Sequence, residues 1–163
     1  MYFVSQFLRS AFVTLTASAC LWGCSSDIPP EPELSVKQQM NLRTQIMKGY
    51  QQWRGVPYRY GGESRRGMDC SAFVQTIFRN NLGMRLPRST SQQKNLGKPV
   101  EKKELQIGDL IFFNRNTHVG IYVGNGRFVH ASTRKGITIA ELNNVYFKNR
   151  YTQSRRIIFP KKS

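Results

Sequence analysis

Acidic residues are scarce in this chain of 163 residues: nine Asp and Glu stand against 25 Lys and Arg, a formal net charge of +16. The imbalance points to a polyanionic partner, either a nucleic acid, an anionic membrane face or a carboxylate-rich polymer. Histidine and cysteine are rarer still, with two and three copies, and they show no zinc-ligand spacing. There is also no basic heptad region and no RNA-binding aromatic signature, so nucleic acid is set aside as the partner. Long apolar runs are missing too. The stretch from Ala11 towards Trp22 is too short to span a bilayer as a permanent helix. Internal repeats are absent, and the length suits one domain with short appendages. What is present is a supply of core-forming aromatics, ten Phe, seven Tyr and two Trp.

Residues 1–23 contain a single basic residue, Arg9, no acid, and that short apolar run, which together fit an export signal. The run ends Leu21-Trp22-Gly23-Cys24-Ser25. Leu three positions before a cysteine, with Gly just before it, resembles a bacterial lipoprotein signal. Cys24 is then expected to be lipidated as the mature N-terminus, with Cys20 the weaker processing point. Ser25 at the next position matches the sorting pattern of the Gram-negative outer membrane, so the expected location is its periplasmic face. Residues 24–35 are Pro-rich and read as an extended tether. Cys70 becomes the only thiol of the mature protein, in an oxidising compartment that offers it no disulfide partner. Catalysis is the leading reason to keep such a thiol.

Residues 36–163 form the folded domain. Ser35 and Gln38 predict a capping box for a helix to about Arg54, with Leu42, Ile46, Tyr50 and Trp53 on one face. Gly55-Val56-Pro57 ends it, and the glycines of Tyr58-Arg59-Tyr60-Gly61-Gly62 permit close backbone approach. Asp69 is a good N-cap for a second helix, in which Cys70, Phe73, Val74, Ile77, Phe78 and Leu82 share a stripe and Gly83 is the stop. A thiol at that first turn feels the positive end of the helix dipole, which favours thiolate; the alternative is a small core residue. Ser89 with Gln92 predicts a cap for a short helix. From Leu105 the pattern turns to strands, at Leu110–Phe113, His118–Val123, Arg127–Ser132, Gly136–Ala140 and Arg155–Phe159, with an irregular or helical piece over 144–150. Helices followed by sequential strands make the expected class α+β.

Both histidines lie on one predicted hairpin. An Asn125-Gly126 two-residue turn would put them on opposite faces and mix polar with apolar residues. A three-residue loop, Gly124 to Gly126, pairs Val123 with Arg127, Ile121 with Val129 and Tyr122 with Phe128, and it segregates the faces. His130 then sits opposite Gly120 as a diagonal neighbour of His118, within reach of two rings. This is the expected register, with Gly126 left-handed. His118 would take the Cys70 proton and His130 would orient His118. Asp109 is an acidic candidate for the third role, although Gly-Asp before a strand is more often a turn-former. A Cys-His-His metal site is the rival use of the same residues.

Pro57-Tyr58-Arg59-Tyr60-Gly61-Gly62, Asp69-Cys70-Ser71, Leu86-Pro87-Arg88-Ser89-Thr90, Gly108-Asp109-Leu110, His118-Val119-Gly120-Ile121-Tyr122 and Phe128-Val129-His130-Ala131-Ser132 together resemble the NlpC-type cell-wall cysteine peptidases. The match covers about residues 36–159, in order. The resemblance implies a papain-like α+β fold with the nucleophile helix packed on a mainly antiparallel sheet. It also implies hydrolysis of amide bonds in peptidoglycan stem or cross-link peptides through a thioester. In that scheme Cys70 is the nucleophile, His118 the base and then acid, and His130 the orienting member. Tyr58 and Ser71 are expected to position the substrate or its oxyanion, no metal or organic cofactor is needed, and a monomer is expected. Ala72 departs from the glycine usual in the family, and its methyl is expected to crowd the cleft. The alternatives are an amidase or acyltransferase with the same triad, or a non-catalytic murein-binding lipoprotein.

Overall fold

The computed structural model describes residues 34–160. The export signal, Cys24 and most of the tether lie outside the described residues. Helix α1 (Val36–Trp53) starts at the predicted capping box: the Ser35 hydroxyl accepts from the Gln38 N–H at 3.3 Å, and Gln38 Oε1 accepts from the Ser35 N–H at 2.8 Å. Leu42, Ile46 and Tyr50 are its buried face. A small hairpin, β1 (Glu63–Ser64) with β2 (Gly67–Met68), leads into α2 (Cys70–Leu82), which ends at a left-handed Gly83. After it come α3 (Thr90–Gln93), β3 (Lys98–Val100), β4 (Leu110–Phe113), β5 (His118–Gly124), β6 (Arg127–Ser132), β7 (Gly136–Glu141), α4 (Val145–Lys148) and β8 (Tyr151–Arg156).

Strands β3 to β8 form one antiparallel sheet in the order β3-β8-β4-β5-β6-β7. Helix α2 packs on β5 and β6, and α1 packs on α2. Phe73, Ile77 and Phe78 of α2 are buried with Val119, Ile121, Val129 and Ala131 of the two strands. Apart from the Ala131 methyl, each of these side chains contributes about 1.5–3 kcal/mol through its burial. The other face of the sheet buries Ile111, Phe113 and Phe128 with Leu142, and Phe147 of α4 packs on them. The α+β papain-like arrangement therefore sets the first turn of α2 against the strands that carry both histidines. Beyond β7, the chain after α1 adds two backbone bonds of its own. Gly55 donates to the Ile137 carbonyl at 3.0 Å, and Ile137 donates to the Val56 carbonyl at 2.9 Å.

The β5–β6 hairpin corrects the expected loop while keeping its result. Gly124 pairs with Arg127, and Asn125 (φ 53°) and Gly126 (φ 68°) are both left-handed, so the tip is a two-residue Asn-Gly turn. A β-bulge between Tyr122 and Gly124 then absorbs one residue, and Val123 does not pair with Arg127. Below the bulge the pairs are Ile121 with Val129 and Tyr122 with Phe128, as expected. The turn chemistry and the segregated faces are both satisfied.

Three other readings change. The last strand starts at Tyr151, earlier than Arg155, because Ile157 and Ile158 leave the sheet and pack against the main core. Strand β3 was missed, since Pro99 within three residues argues against a strand anywhere but at a sheet edge, where β3 lies. The Ser89 hydroxyl caps no backbone N–H and instead donates to Gln92 Oε1 at 2.9 Å.

Candidate active site

The loop before α2 is built by its own backbone. Tyr58 bridges to Met68, the Met68 N–H donates to the Pro57 carbonyl at 3.0 Å, and the Asp69 N–H donates to the Gly62 carbonyl at 3.1 Å. Asp69 caps the helix through Oδ1, which accepts from the Ala72 N–H at 2.8 Å. Its Oδ2 accepts from the Gly61 N–H at 3.1 Å. The carboxylate also receives a two-pronged contact from Arg88, Nη1 to Oδ1 at 3.0 Å and Nη2 to Oδ2 at 2.7 Å. Arg88 bonds Glu63 as well, so one guanidinium ties the hairpin to the cap of α2.

Cys70 is 4 % exposed. Its Sγ lies 3.8 Å from Thr90 Oγ1 and 4.0 Å from the Thr117 carbonyl, to which the thiol donates. It is thus seated against the backbone that leads into His118. On the neighbouring strands, His118 Nε2 and His130 Nδ1 share a hydrogen bond of 2.8 Å, with the rings edge to face. Gly120 makes this approach possible. A Cβ there would stand 2.7 Å from the Phe128 ring and 3.3 Å from His130 Cβ. With Nε2 committed to His130, Nδ1 is the His118 nitrogen that remains to take a proton. His130 is boxed by Phe128 and Phe147, whose ring centroids lie 5.0 and 5.2 Å away.

Burial sets the charge state of this group. It pushes the Cys70 thiol above its ordinary range, outweighing the pull of the Val119 N–H, the Thr90 hydroxyl and the Ser71 N–H; the Asp69 charge adds to the rise. The thiolate expected from the helix dipole is therefore not the resting form. Burial also lowers His118 to about 4. His130 falls to about 3 through burial and then the charge of His118. At neutral pH the three rest as a thiol and two neutral imidazoles. The Tyr58 phenol is pushed up by burial and then by the negative charges that Cys70 and Asp69 would carry.

Two sequence candidates take other positions. The Ser71 hydroxyl donates to Asp69 Oδ1 and accepts from Arg88 Nη1, each at 3.0 Å, so that hydroxyl braces the cap instead of facing an oxyanion. Asp109 receives both prongs of Arg156, at 3.0 and 2.9 Å, together with the Gln106 N–H at 2.8 Å, and is no third member for the histidines. It opens β4, whose far end, Phe113, is the residue that pairs with His118. Ala72 is buried in the core on nearly the opposite side of α2 from Cys70, since two residues turn a helix by about 200°. Its methyl does not crowd a cleft. Thr90 and Arg88 were missed as site residues. Their only sequence signal was the Leu86–Thr90 run, one of the motifs that carry the resemblance. Among the described residues no three His, Cys, Asp or Glu side chains converge to hold a metal ion.

The comparisons with known proteins agree with this architecture. The model of the NlpC/P60 family matches residues 55–156. A probable endopeptidase NlpC homolog of Haemophilus influenzae is 53 % identical over 109 residues, covering 67 % of this chain. The chain spans only 60 % of that relative's length. The probable endopeptidase NlpC of Escherichia coli is 41 % identical over 155 residues, covering 92 % of this chain and 100 % of the relative. Among solved structures, a Staphylococcus aureus protein described as similar to a lipoprotein of the NLP/P60 family superposes with a TM-score of 0.68 at 29 % identity. That likeness covers 80 % of this chain and 45 % of that one.

Proposed function

The chain belongs to the NlpC/P60 family, and from that premise we propose that it is a cysteine endopeptidase cutting amide bonds in peptidoglycan peptides. The observation that carries the reading is the 2.8 Å pairing of His118 Nε2 with His130 Nδ1 on the strands packed against the helix of Cys70. Cys70 Sγ attacks the scissile carbonyl carbon while its proton passes to His118 Nδ1 and on to the leaving amine. This leaves a thioester and a free amine. Water deprotonated by His118 then cleaves the thioester to a carboxylate and returns the proton to the thiol. His130 fixes the His118 ring and tautomer. The Tyr58 hydroxyl, on the segment that bridges to Met68 just before Cys70, stabilises the oxyanion with backbone N–H groups of the helix start. The relatives' names support an endopeptidase. Lipidation at Cys24 and residence on the periplasmic face of the outer membrane follow from the Leu21–Ser25 pattern alone.

Murein digestion by the protein and by Cys70→Ser tests this reading, with products read by chromatography and mass spectrometry. Loss of cross-linked dimers, or shortening of stems, is expected with the parent only. One observation favours a second reading, murein binding without cleavage: the thiol is buried and held protonated. Unchanged murein with full binding to sacculi by both proteins would select it. Palmitate incorporation lost in Cys24→Ala is the expected result for the anchor.

A further inference from the structure

The turn between β4 and β5 has an unusual backbone. Asn114, Arg115 and Asn116 are all left-handed, with φ of 52°, 56° and 67°. Three such residues in succession, each with a Cβ, are unfavourable and persist only where their surroundings hold them. The holding groups come from β8 and the residue just before it. The Asn114 N–H donates to the Arg150 carbonyl at 2.9 Å, the Arg115 N–H to Thr152 Oγ1 at 3.1 Å, and Gln153 Nε2 to Asn116 Oδ1 at 2.8 Å. Thr152 is available because the β4–β8 ladder shifts register there: Phe112 pairs with Gln153 and Phe113 with Tyr151, which leaves Thr152 unpaired. At the other end of the turn, Thr117 is closed back onto Asn114 by its N–H and its hydroxyl, at 3.2 and 2.8 Å. Its carbonyl then meets Cys70 Sγ at 4.0 Å, immediately before His118.

We infer that Thr152 and Gln153 are positioning residues, which act through the left-handed turn to set the Thr117 carbonyl and His118 against Cys70. The inference rests on the catalytic reading of Cys70 and His118 given above. Neither clamp touches the thiol or the imidazoles; both act through the backbone of residues 114–118.

The test uses the full chain and soluble cross-linked murein peptides, with Thr152→Val, Thr152→Ser, Gln153→Leu and Cys70→Ser. Turnover, thermal melting and the pH dependence of Cys70 alkylation by iodoacetamide, read on the Cys70 peptide by mass spectrometry, are followed together. Thr152→Val is expected to lower kcat about tenfold, with KM within about twofold, because small misplacement of reacting groups costs rate and not binding. Its alkylation, which follows the thiolate, should set in at lower pH as the buried thiol is rehydrated towards its ordinary range. Thr152→Ser should restore both. Gln153→Leu, which removes the bond to Asn116 Oδ1, should lower kcat similarly, with KM again within about twofold. Unchanged kcat and alkylation profile in Thr152→Val and Gln153→Leu, with Cys70→Ser inactive, would overturn the inference alone. Should Thr152→Val fold poorly, Gln153→Leu decides by itself. Full turnover in Cys70→Ser would instead overturn the catalytic reading beneath it.

Discussion

Asp69 and Asp109 are both gripped by the two prongs of an arginine, one at the first turn of α2 and the other at the opposite end of β4. Yet their carboxyls shift in opposite directions. For each, burial is the largest influence and raises the carboxyl. At Asp69, 7 % exposed, the hydrogen bonds and charge of Arg88, the Ala72 N–H and the Ser71 hydroxyl overcome it, and the carboxyl ends below its ordinary value. At Asp109, 2 % exposed, Arg156 and the Gln106 N–H do not, and it ends above. An arginine fork alone does not decide the charge state of a buried carboxylate. The number of further donors does, weighed against its access to water. The two forks also tie different things together. Asp69 joins the Gly61 loop, α2 and the Arg88 segment around the thiol, whereas Asp109 joins β4 to the end of β8, away from the histidines.

The sharpest way to break this comparison is to delete each carboxylate. Asp69→Ala is expected to cut kcat/KM on murein peptides at least 100-fold, because the cap and the loop beside Cys70 lose their common anchor. Asp109→Ala should leave kcat within a few-fold. It should instead cost about 3 kcal/mol in a urea titration, because Arg156 is left with an uncompensated charge. Comparable kinetic losses in both variants would refute the division of labour. Replacing the forks is expected to have a milder effect. Arg88→Lys and Arg156→Lys each keep the charge but lose the paired geometry, for about 1–2 kcal/mol. Only Arg88→Lys should slow turnover, by about tenfold, in the same assay.

Acid unfolding should separate the two sites by sign. The Asp69 carboxyl titrates lower in the folded than in the unfolded state. The folded state therefore binds fewer protons, and stability is gained as pH rises through the window below about 3.9. Asp109 titrates higher when folded, so stability is lost as pH rises from about 3.9 to its folded value. In melts recorded between about pH 2.5 and 5, Asp69→Asn should flatten the acid limb and Asp109→Asn should steepen it. Shifts of the same sign would show that donor count is not what separates them. The smallest effect is expected one turn along the capped helix. Ala72→Gly keeps the N–H that Asp69 accepts, so it should change turnover less than twofold and lower stability by about 1 kcal/mol.

The parts legible in the sequence were those fixed by local chemistry. Alternation along His118–Val123 and Arg127–Ser132 was enough to bring the two imidazoles together, because slipping the register would have buried polar side chains. Asp69 and Gly83 bounded α2 through their own caps. The Arg88–Asp69 fork was not legible, since an arginine 19 residues away finds its partner only once α2 and the Leu86–Thr90 segment are packed. The pull of burial on Cys70 was hidden for a similar reason: a dipole can be read from one helix, whereas desolvation depends on what covers it. Ile157, Ile158 and Phe159 looked like a strand because their composition suits one. They lie past the last residue that β4 or β3 can pair, and the two isoleucines fill space by the helices instead.

The two backbone bonds from Gly55 and Val56 to Ile137 have a meaning beyond holding a loop. They occupy an outer strand of the sheet, the place where an extended segment from another chain would add. Gly136, with φ 68°, lets the chain come that close; a Cβ there would fall 2.3 Å from the Val56 carbonyl. At the other border the outer strand is three residues long and contains Pro99, which has no N–H to give. The chain thus blunts both borders of its sheet with its own residues, one by a covering loop and one by a proline. Self-templated aggregation through strand addition would first have to undo one of them.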